Sequence, residues 1–329
     1  MSDKKIFIIW KVYQRRAESL AENLDLDIRY VHYSWEEKSK VHKLFSYILK
    51  SISTILILVR EKPNFLFIQL PPTPLLYIVN IYKNFTGSEF IADCHNAMID
   101  GPWRKLPFAV SCLKKSKAVL VHNADISTMA KKFNIDTTVS KDPLPYVEEK
   151  LDVSNVLDKF QLVSKKYILA PWNFASDEPL EELMQAAKLT PDIIYVATWF
   201  TERLSEDIKS IAPENVVFTG YLEKIDFNYL IAHAGAIIAL TYREGTQPSS
   251  ASEAIAFKVP LIISSIKTAK LLYGPNVIYV DNNPESISDG AQEAILNNSK
   301  WRSEISSLKE KFDDELSLEL ELLRELISS

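Results

Sequence analysis

The stretch IIALTYREGTQPSSASEAIAFKVPLIIS, residues 237–264, decides the fold. It begins and ends with short apolar runs rich in isoleucine, which is typical of strands that are buried on both faces. Between the runs, Pro248 is followed by small hydroxyl residues and by Glu253, in an order that starts helices. Strand, helix and strand in succession predict one unit of a parallel sheet, with its helix beginning at a capping box on Ser250.

The same alternation continues along the whole chain. Short β-branched and aromatic runs are separated by patterns long enough for crossover helices. Strands are predicted at 5–10, 27–33, 65–70, 89–95, 118–123, 137–140, 166–171, 193–198, 215–220, 236–241, 260–265 and 277–281. Helices are predicted at 15–24, 41–60, 74–84, 103–115, 124–133, 180–189, 202–211, 226–234, 284–296 and 300–327. This order predicts an α/β protein with doubly wound parallel sheets.

One segment interrupts the alternation. DPLPYVEEKLDVSN, residues 142–155, has two prolines and a cluster of charges, which is typical of a linker. We therefore predict a Rossmann-like domain at 1–150, a second at 151–299, and a charged helix at 300–329. The final helix is expected either to pack back on the first domain or to end as a solvated helix.

Composition excludes several classes of protein. The chain has 329 residues, of which 47% are hydrophobic and 25% charged, enough for two buried cores. A formal net charge of −5 gives no argument for nucleic-acid binding. Two cysteines without a CxxC pair argue against a disulfide framework or structural zinc. With no secretory signal pattern at the start, these features predict a cytoplasmic protein.

The charge is divided unequally along the chain. Residues 1–150 carry 22 Lys and Arg against 16 Asp and Glu, whereas the remainder carries 16 against 27. This predicts that the first domain meets an anionic partner, and the alternative is an accident of surface composition. Two basic amphipathic stretches, 40–62 and 103–117, suit the surface of an anionic membrane. Equally, they could be crossover helices buried against the sheet with charged ends.

The opening stretch also contains candidate ligand-binding residues. The strand at 236–241 delivers Arg243 and Glu244 to the carboxyl edge of a sheet, where open α/β sheets bind ligands. The first amides of the following helix point to the same edge, which suits an anion such as a diphosphate. A carboxylate beside them can accept sugar hydroxyl groups. A nucleotide-sugar offers both kinds of group.

These residues resemble the donor-domain motif of GT-B glycosyltransferases, especially the family 4-like enzymes. The resemblance implies two doubly wound Rossmann-like domains facing across a cleft, with a nucleotide-sugar donor bound by the second. It implies Glu244 beside the donor sugar and Glu253 on the ribose. Trp172 and Asn173 stand where the family usually has Arg and Lys. The other residues that we expect to bind donor are Arg243, Gly245, Thr246, Ser249, Ser250 and Ser252.

Two segments of the first half are similar to the dolichol-pathway β-1,4-mannosyltransferases. These are QLPP at 69–72 and DCHN at 93–96, each at the end of a predicted strand. The resemblance implies acceptor binding by Gln69 and Asn96. Asp93 or His95 could deprotonate an acceptor hydroxyl in an inverting transfer, or orient the donor in a retaining one.

Other polar residues of the first half have two interpretations. His95 could also be a satisfied core histidine, and His122, at a further strand end, is divided evenly between site and core. Arg15 and Arg16 begin a helix, where positive charge opposes the helix dipole. An anionic acceptor or the donor diphosphate would explain them, and a solvated helix end is the alternative.

The sequence therefore predicts a glycosyltransferase that moves a sugar from a nucleotide-sugar to a glycan or polyprenyl-diphosphate-linked acceptor. Its predicted catalytic residues are His95, Asp93 and Glu244, with no metal or other cofactor because no DxD-type pair is placed to hold one. The predicted location is cytoplasmic and peripheral on the inner face of the membrane. One alternative is a non-catalytic protein of the same fold, favoured by a nine-residue spacing between Glu244 and Glu253. A sugar-nucleotide epimerase is the other.

Overall fold

The computed structural model describes residues 4–147, 154–172, 175–198 and 210–328. The chain divides into two compact units, of which unit 1 runs to Pro143 and resumes at Glu315, and unit 2 runs from Leu144 to Asp314. Each unit contains one parallel six-stranded sheet.

Unit 1 is built on a sheet with the strand order β2-β1-β3-β4-β5-β6. Its strands are β1 (Lys5–Ile9), β2 (Asp27–Tyr30), β3 (Phe65–Leu70), β4 (Glu89–Cys94), β5 (Ala118–Val121) and β6 (Thr138–Val139). Its helices are α1 (Arg15–Leu24), α2 (Lys40–Glu61), α3 (Thr73–Thr86), α4 (Asn96–Ile99), α5 (Ala109–Leu113) and α6 (Ala124–Lys131). Short 3-10 turns occupy Glu36–Lys38 and Pro102–Lys105.

Unit 2 repeats the architecture with the strand order β12-β11-β10-β7-β8-β9. Its strands are β7 (Tyr167–Pro171), β8 (Ile194–Thr198), β9 (Val216–Gly220), β10 (Ala236–Ala239), β11 (Leu261–Ser264) and β12 (Ile278–Val280). Its helices are α7 (Val156–Lys159), α8 (Leu180–Leu189), α9 (Lys224–His233), α10 (Ser249–Ala256), α11 (Lys267–Tyr273), α12 (Pro284–Leu296) and α13 (Asn298–Ser328), whose last turns belong to unit 1.

Both faces of each sheet are covered. Successive side chains of a strand point to opposite faces, and in β1 Ile8 enters one hydrophobic cluster while Phe7 and Ile9 enter another. In β7, Leu169 and Ile168 are divided in the same way. Strands that are apolar on both faces need this double cover. The predicted α/β fold with doubly wound parallel sheets is confirmed.

The predicted helix at 202–211 lies outside the described residues except for its last two positions, and one of the other predicted helices is wrong. The segment 103–115 forms a 3-10 turn and the short helix α5 instead of one crossover helix. Pro107 explains the break, because the residue before a proline is forced out of helical geometry. Leu106 accordingly has extended angles, with φ −66° and ψ 146°.

The predicted capping box is also wrong. Helix α10 begins at Ser249, with Pro248 in extended geometry as the preceding residue and no side-chain cap. Ser250 is therefore inside the first turn and 5% exposed. The rigid φ of proline prepares this helix start, so a hydroxyl cap on Ser250 is not used.

Candidate active site

A polar cluster in unit 1 is assembled by three neighbouring strands. β4, β5 and β6 lie side by side, so the residues at their carboxyl ends meet at one edge of the sheet. The ring centroids of His95 and His122 are 4.4 Å apart. One side-chain ligand atom from each of Asp93, His95 and His122 lies within 4.8 Å of the others.

Arg16 connects helix α1 to this cluster. Its Nε donates to both carboxylate oxygens of Asp93, at 3.0 and 3.3 Å. One terminal nitrogen donates to the Lys141 carbonyl at 2.7 Å and to Asp142 at 3.1 Å, and the other to the Ser140 hydroxyl. Arg16 is 3% exposed. The positive charge of Arg16 is therefore paired with groups of unit 1. From the sequence alone, we expect it to contact an anionic acceptor or donor instead.

The environment of Asp93 makes it a poor base. The carboxylate is completely buried, and burial alone would raise its pKa, but Arg16, His122 and His95 outweigh burial and hold the pKa below its usual value. Asp93 is consequently a charged partner of Arg16. Its role is to hold the cluster in place, and the expected proton transfer to Asp93 is disfavoured.

His95 is neutral at physiological pH. Burial lowers its pKa to about 4, although nearby Asp93 acts in the opposite direction. Its Nε2 lies 3.5 Å from the Gln14 amide nitrogen, and its backbone N–H donates to the Leu70 carbonyl at 2.8 Å. A neutral imidazole has one nitrogen able to accept a proton, but the lowered pKa makes His95 a weaker base than an ordinary histidine.

His122 forms a second acid–base group with Asp142, a residue that the sequence analysis assigned to the linker. The Nδ1 of His122 lies 3.2 Å from the carboxylate of Asp142. The pKa of Asp142 is raised by burial but lowered more strongly by His122 and Arg16, so the carboxylate is charged. A proton held on Nδ1 leaves Nε2 as an acceptor, and Nε2 is buried with no hydrogen-bond partner within the described ranges. The sequence contained one indication of this pairing. Asp142 follows β6, and β6 is the neighbour of β5, which His122 follows.

The predicted acceptor-binding residues fall in different places. Gln69 lies in β3 in register with Asp93 and is 2% exposed, so it belongs to the interior of the sheet. Its amide atoms have no hydrogen-bond partner in the part of the chain that the structure describes. Asn96, the first residue of α4, is exposed. The backbone of Arg15 begins α1, but its side chain is outside the described part.

The composition of the unit 1 cluster is that of a metal site, because one carboxylate and two imidazoles could ligate a divalent ion. Arg16, however, already neutralises Asp93 at hydrogen-bonding distance. A cation there would have to share the Asp93 carboxylate with Arg16, whose positive charge repels it. Metal independence stays a prediction.

A cavity in unit 2 lies at the carboxyl ends of β7 and β10. Its volume is about 230 Å³. The first turn of α10 closes one side, and the first amides of a helix have no partners inside the helix. The lining residues are Pro171, Trp172, Ala175, Asp177, Glu178, Ala239, Leu240, Thr241, Thr246, Gln247, Pro248, Ser249 and Ser250.

The carboxyl ends of three strands beside this cavity are joined by hydrogen bonds that the sequence did not reveal. The Thr241 amide donates to the Ser264 hydroxyl at 2.9 Å, and that hydroxyl donates to Asn282 Oδ1 at 2.7 Å. Asn282 Nδ2 closes the ring by donating to the Thr241 carbonyl at 2.9 Å. The Thr241 hydroxyl also donates to Asp177 at 2.9 Å. This network positions the loop that leads to α10.

Among the predicted donor-binding residues, Thr246, Ser249, Ser250 and Trp172 line the cavity. Trp172 is 2% exposed and packs in the core, so little of its ring is available to a ligand. Ser252 is 3% exposed, below the surface of α10, and Glu253 is half-buried in the same helix. Asn173 lies outside the described residues.

Glu244 and its neighbours are held at the start of α11. The Lys267 amide donates to the Glu244 carboxylate at 3.3 Å, and the Gly245 amide donates to the Thr268 hydroxyl at 3.1 Å. A carboxylate is favourable at a helix N-terminus. Gly245 has φ +74°, a conformation that favours glycine. Glu244 and Arg243 are exposed and are not part of the cavity lining.

The fold has close counterparts among solved structures. A glycosyltransferase from Rickettsia africae matches with a TM-score of 0.72 and 13% identity, over 99% of this chain and 98% of that one. Anabaena HepE in complex with UDP and glucose matches at 0.70 and 11%, over 99% of both chains. A trehalose-6-phosphate structure from E. coli, bound with UDP-2-fluoro glucose, matches at 0.69 and 8%, over 99% of both.

At these identities the likeness establishes the fold. No protein-family model matches the chain, and no curated protein matches it either. The two parallel six-stranded sheets with their helices have the GT-B architecture of these structural neighbours.

Proposed function

We propose that the protein is a nucleotide-sugar-dependent glycosyltransferase whose unit 2 binds the donor and whose unit 1 binds the acceptor. The cavity between the ends of β7 and β10 and the start of α10 carries this proposal. Its position is the one at which open α/β sheets bind ligands. The UDP and UDP-2-fluoro glucose in two of the structures with this fold support the donor class.

The donor proposal follows from the groups around the cavity. The first amides and the positive dipole end of α10 suit a diphosphate, and they would stabilise the charge that develops on it as the sugar leaves. Thr246, Ser249 and Ser250 contribute hydroxyl groups at the same wall. Glu253, on the following turn of α10, is proposed to accept the ribose hydroxyls, and Glu244 to lie near the sugar.

The acceptor proposal places the chemistry on the two histidines of unit 1. In an inverting transfer, the acceptor hydroxyl oxygen attacks the anomeric carbon and the bond to the donor phosphate breaks. The hydroxyl proton passes to an imidazole nitrogen of His95 or His122. Asp142 would stabilise the imidazolium of His122, and Arg16 with Asp93 would keep the cluster in place. In a retaining transfer Asp93 or His95 would instead orient the donor.

The finer assignments belong to the same proposal. The QLPP and DCHN segments support an acceptor like that of the dolichol-pathway β-1,4-mannosyltransferases, and the 237–264 motif supports family 4-like donor binding. We therefore propose a polyprenyl-diphosphate-linked glycan acceptor, a role in glycan or polysaccharide synthesis, and a cytoplasmic position beside the membrane. No metal is required in this scheme, because helix dipoles and hydroxyl donors act on the leaving diphosphate.

A thermal-shift screen of nucleotide-diphosphate sugars tests the donor site. A donor at about 100 times its Kd should stabilise the protein by about 2.7 kcal/mol, which corresponds to a rise in Tm of several degrees. Thr246→Trp fills the cavity and should abolish the shift. The matched variant Leu271→Trp, at a position 71% exposed in unit 2, should retain it. No shift with any donor, or an unchanged shift in Thr246→Trp, would refute this donor site.

A non-catalytic sugar-nucleotide-binding protein is the second candidate, favoured by the engagement of Glu244 at α11 outside the cavity lining. Product analysis separates the candidates once a donor is known. Sugar transfer to an acceptor, lost in Glu244→Ala, supports the transferase, while binding without turnover supports the alternative. Conversion of the donor without any acceptor would indicate an epimerase.

A further inference from the structure

Helix α2 is amphipathic in the reverse sense of an ordinary surface helix. Such a helix normally turns its apolar residues inward and its polar residues to water. In α2 the buried side instead carries Ser46, Lys50 and Thr54, together with Leu58. The outer side carries apolar residues that are 47–76% exposed, namely Val41, Leu44, Phe45, Ile48, Ile52, Ile55, Leu56 and Val59. Their spacing of three and four residues places them on one continuous face.

The polar side of α2 is fixed to the rest of unit 1. Thr54 accepts a hydrogen bond from the Trp10 indole at 2.9 Å. The Lys50 ammonium donates to Glu36 at 2.8 Å and to the Trp10 carbonyl at 3.2 Å, and it is 2% exposed. Turning the helix to bury its apolar face would break this buried ion pair, which is costly. The outward apolar face is therefore built into the fold.

The apolar surface continues onto α3. Ile81 and Phe85 of that helix are 57% and 86% exposed. A groove of about 890 Å³ separates them from Ile55 and Val59 of α2. We call these ten exposed apolar side chains the α2–α3 face. A contiguous apolar patch of this kind marks an interaction site, because monomeric soluble proteins rarely expose such a patch to water.

Basic side chains border the apolar strip of α2 at both ends, and one acidic residue, Glu61, lines the groove. Between residues 44 and 59 the only charged side chain of α2 is Lys50, which points inward. Lys43 lies exposed at one end of the face and Arg60 at the other. Glu61 is paired with Arg29 at 2.8 Å, and also with Lys4. An apolar strip bordered by basic residues complements an anionic bilayer.

We infer that the α2–α3 face lies on an anionic lipid bilayer, with α2 parallel to the membrane plane and its apolar side chains among the acyl chains. The groove beside Phe85 would receive a lipid acyl chain. Membrane contact would bring the transferase to a lipid-linked acceptor, and in this respect the inference rests on the proposed function. Over the described residues, α2 is the one helix long and apolar enough to span a membrane. Helix α2 does not span the membrane in this arrangement, because Lys50 and Thr54 on its inner side are hydrogen-bonded within unit 1 and are too polar to face lipid.

Vesicle flotation of the full-length protein tests the inference. The protein should float with vesicles of phosphatidylcholine and phosphatidylglycerol, and much less with phosphatidylcholine alone. Ile52→Glu combined with Phe85→Glu should abolish flotation. The matched pair Leu271→Glu and Leu296→Glu adds the same charge at exposed apolar positions of unit 2, and it should float as the parent protein does.

A second pair of variants tests the electrostatic part without touching the apolar residues. Lys43→Glu with Arg60→Glu should weaken binding to the anionic vesicles by at least about tenfold, because each basic residue near the surface attracts the anionic lipid headgroups. Thermal melts of each variant show that it is folded. The charge pair keeps the test valid if Ile52→Glu with Phe85→Glu does not fold.

Three results would overturn the inference. The parent protein could stay unbound with anionic vesicles, or a folded Ile52→Glu, Phe85→Glu protein could still float. Light scattering could instead show a dimer that these substitutions dissociate, which would assign the face to a second copy of the chain. Flotation requires neither donor nor transfer, so its failure is distinguishable from failure of the donor screen.

Discussion

At the scale of single residues, the Arg16–Asp93 pair divides the roles in unit 1. Both side chains are buried and satisfy each other at 3.0 Å. Removing one partner of such a pair would leave a buried charge without compensation, which is strongly destabilising. The groups that retain a proton-accepting atom are the two histidines. Acid–base chemistry in unit 1 is therefore expected from His95 and His122, while Arg16 and Asp93 position them.

The lowered pKa of His95 predicts a pH dependence of stability. Burial lowers that pKa from its usual 6.5 to about 4. Between these values the unfolded state binds a proton that the folded state does not, so the free energy of unfolding falls as the pH decreases through this window. His95→Gln should therefore reduce the loss of stability between about pH 7 and about pH 5, by up to about 2 kcal/mol. Urea unfolding at the two pH values measures this.

His42→Gln provides the control for this prediction. His42 is exposed on the first turn of α2, so this variant makes the same replacement without removing a buried imidazole. An equal loss of stability in His95→Gln and in the parent protein would contradict the burial argument for His95.

At the scale of elements, the β10–α10 segment is determined partly by local sequence pattern and partly by contacts between distant residues. Apolar runs fix both strands of 237–264, and Pro248 fixes the helix start. Two hydrogen bonds connect the ends of three strands: the Thr241 amide donates to the Ser264 hydroxyl, and the Asn282 side chain donates to the Thr241 carbonyl. No local pattern specifies that ring. It depends on β10, β11 and β12 being neighbours in the sheet.

Asn282→Ala tests the importance of this ring. The substitution would leave the buried Thr241 carbonyl and the Ser264 hydroxyl without their partner, and each unsatisfied buried group costs about 1–3 kcal/mol. The free energy of unfolding should fall by that order, and donor binding should weaken with it. Denaturant titration and the donor thermal shift measure the two effects.

Asn297→Ala is the matched control in unit 2. Asn297 is exposed and donates only to Glu293 within the described contacts. Its loss should change stability by less than about 0.5 kcal/mol. If Asn282→Ala were as mild, the ring would have no structural role.

At the scale of the whole molecule, the last helix contributes to both units. Its residues up to Asp314 belong to unit 2, and those from Glu315 belong to unit 1. Leu320 and Leu323 lie in the hydrophobic cluster formed by β1 and α1. The Lys141 amide also donates to Glu319 at 3.3 Å. The chain end is therefore part of the core of the first unit.

Leu323→Ala should destabilise unit 1. The side chain is completely buried, and truncating such a leucine typically costs about 2–5 kcal/mol. Leu318→Ala, at a position 68% exposed in the same helix, should have little effect. Denaturant unfolding followed by circular dichroism compares them, and similar losses in both variants would contradict the packing of Leu323 in unit 1.

The sequence by itself determined the strands, most of the helices and the doubly wound α/β class. Hydrophobic periodicity and proline act over a few residues, so they can be read from the chain directly. It also predicts ligand binding at the 237–264 segment and at the DCHN strand end. Donor binding by unit 2 stays a prediction, and Thr246, Ser249 and Ser250 of that segment line the cavity beside α10.

The tertiary structure alone decided which of these groups meet. Arg16 reaches Asp93 across 77 positions of the chain, and His122 meets Asp142 because β5 and β6 are neighbours. Lys50 turns inward because Glu36 and Trp10 bind it, and this leaves the apolar side of α2 outside. Such pairings follow from strand order and from the cost of unpaired buried charge. Both are properties of the folded chain as a whole, which no local pattern encodes.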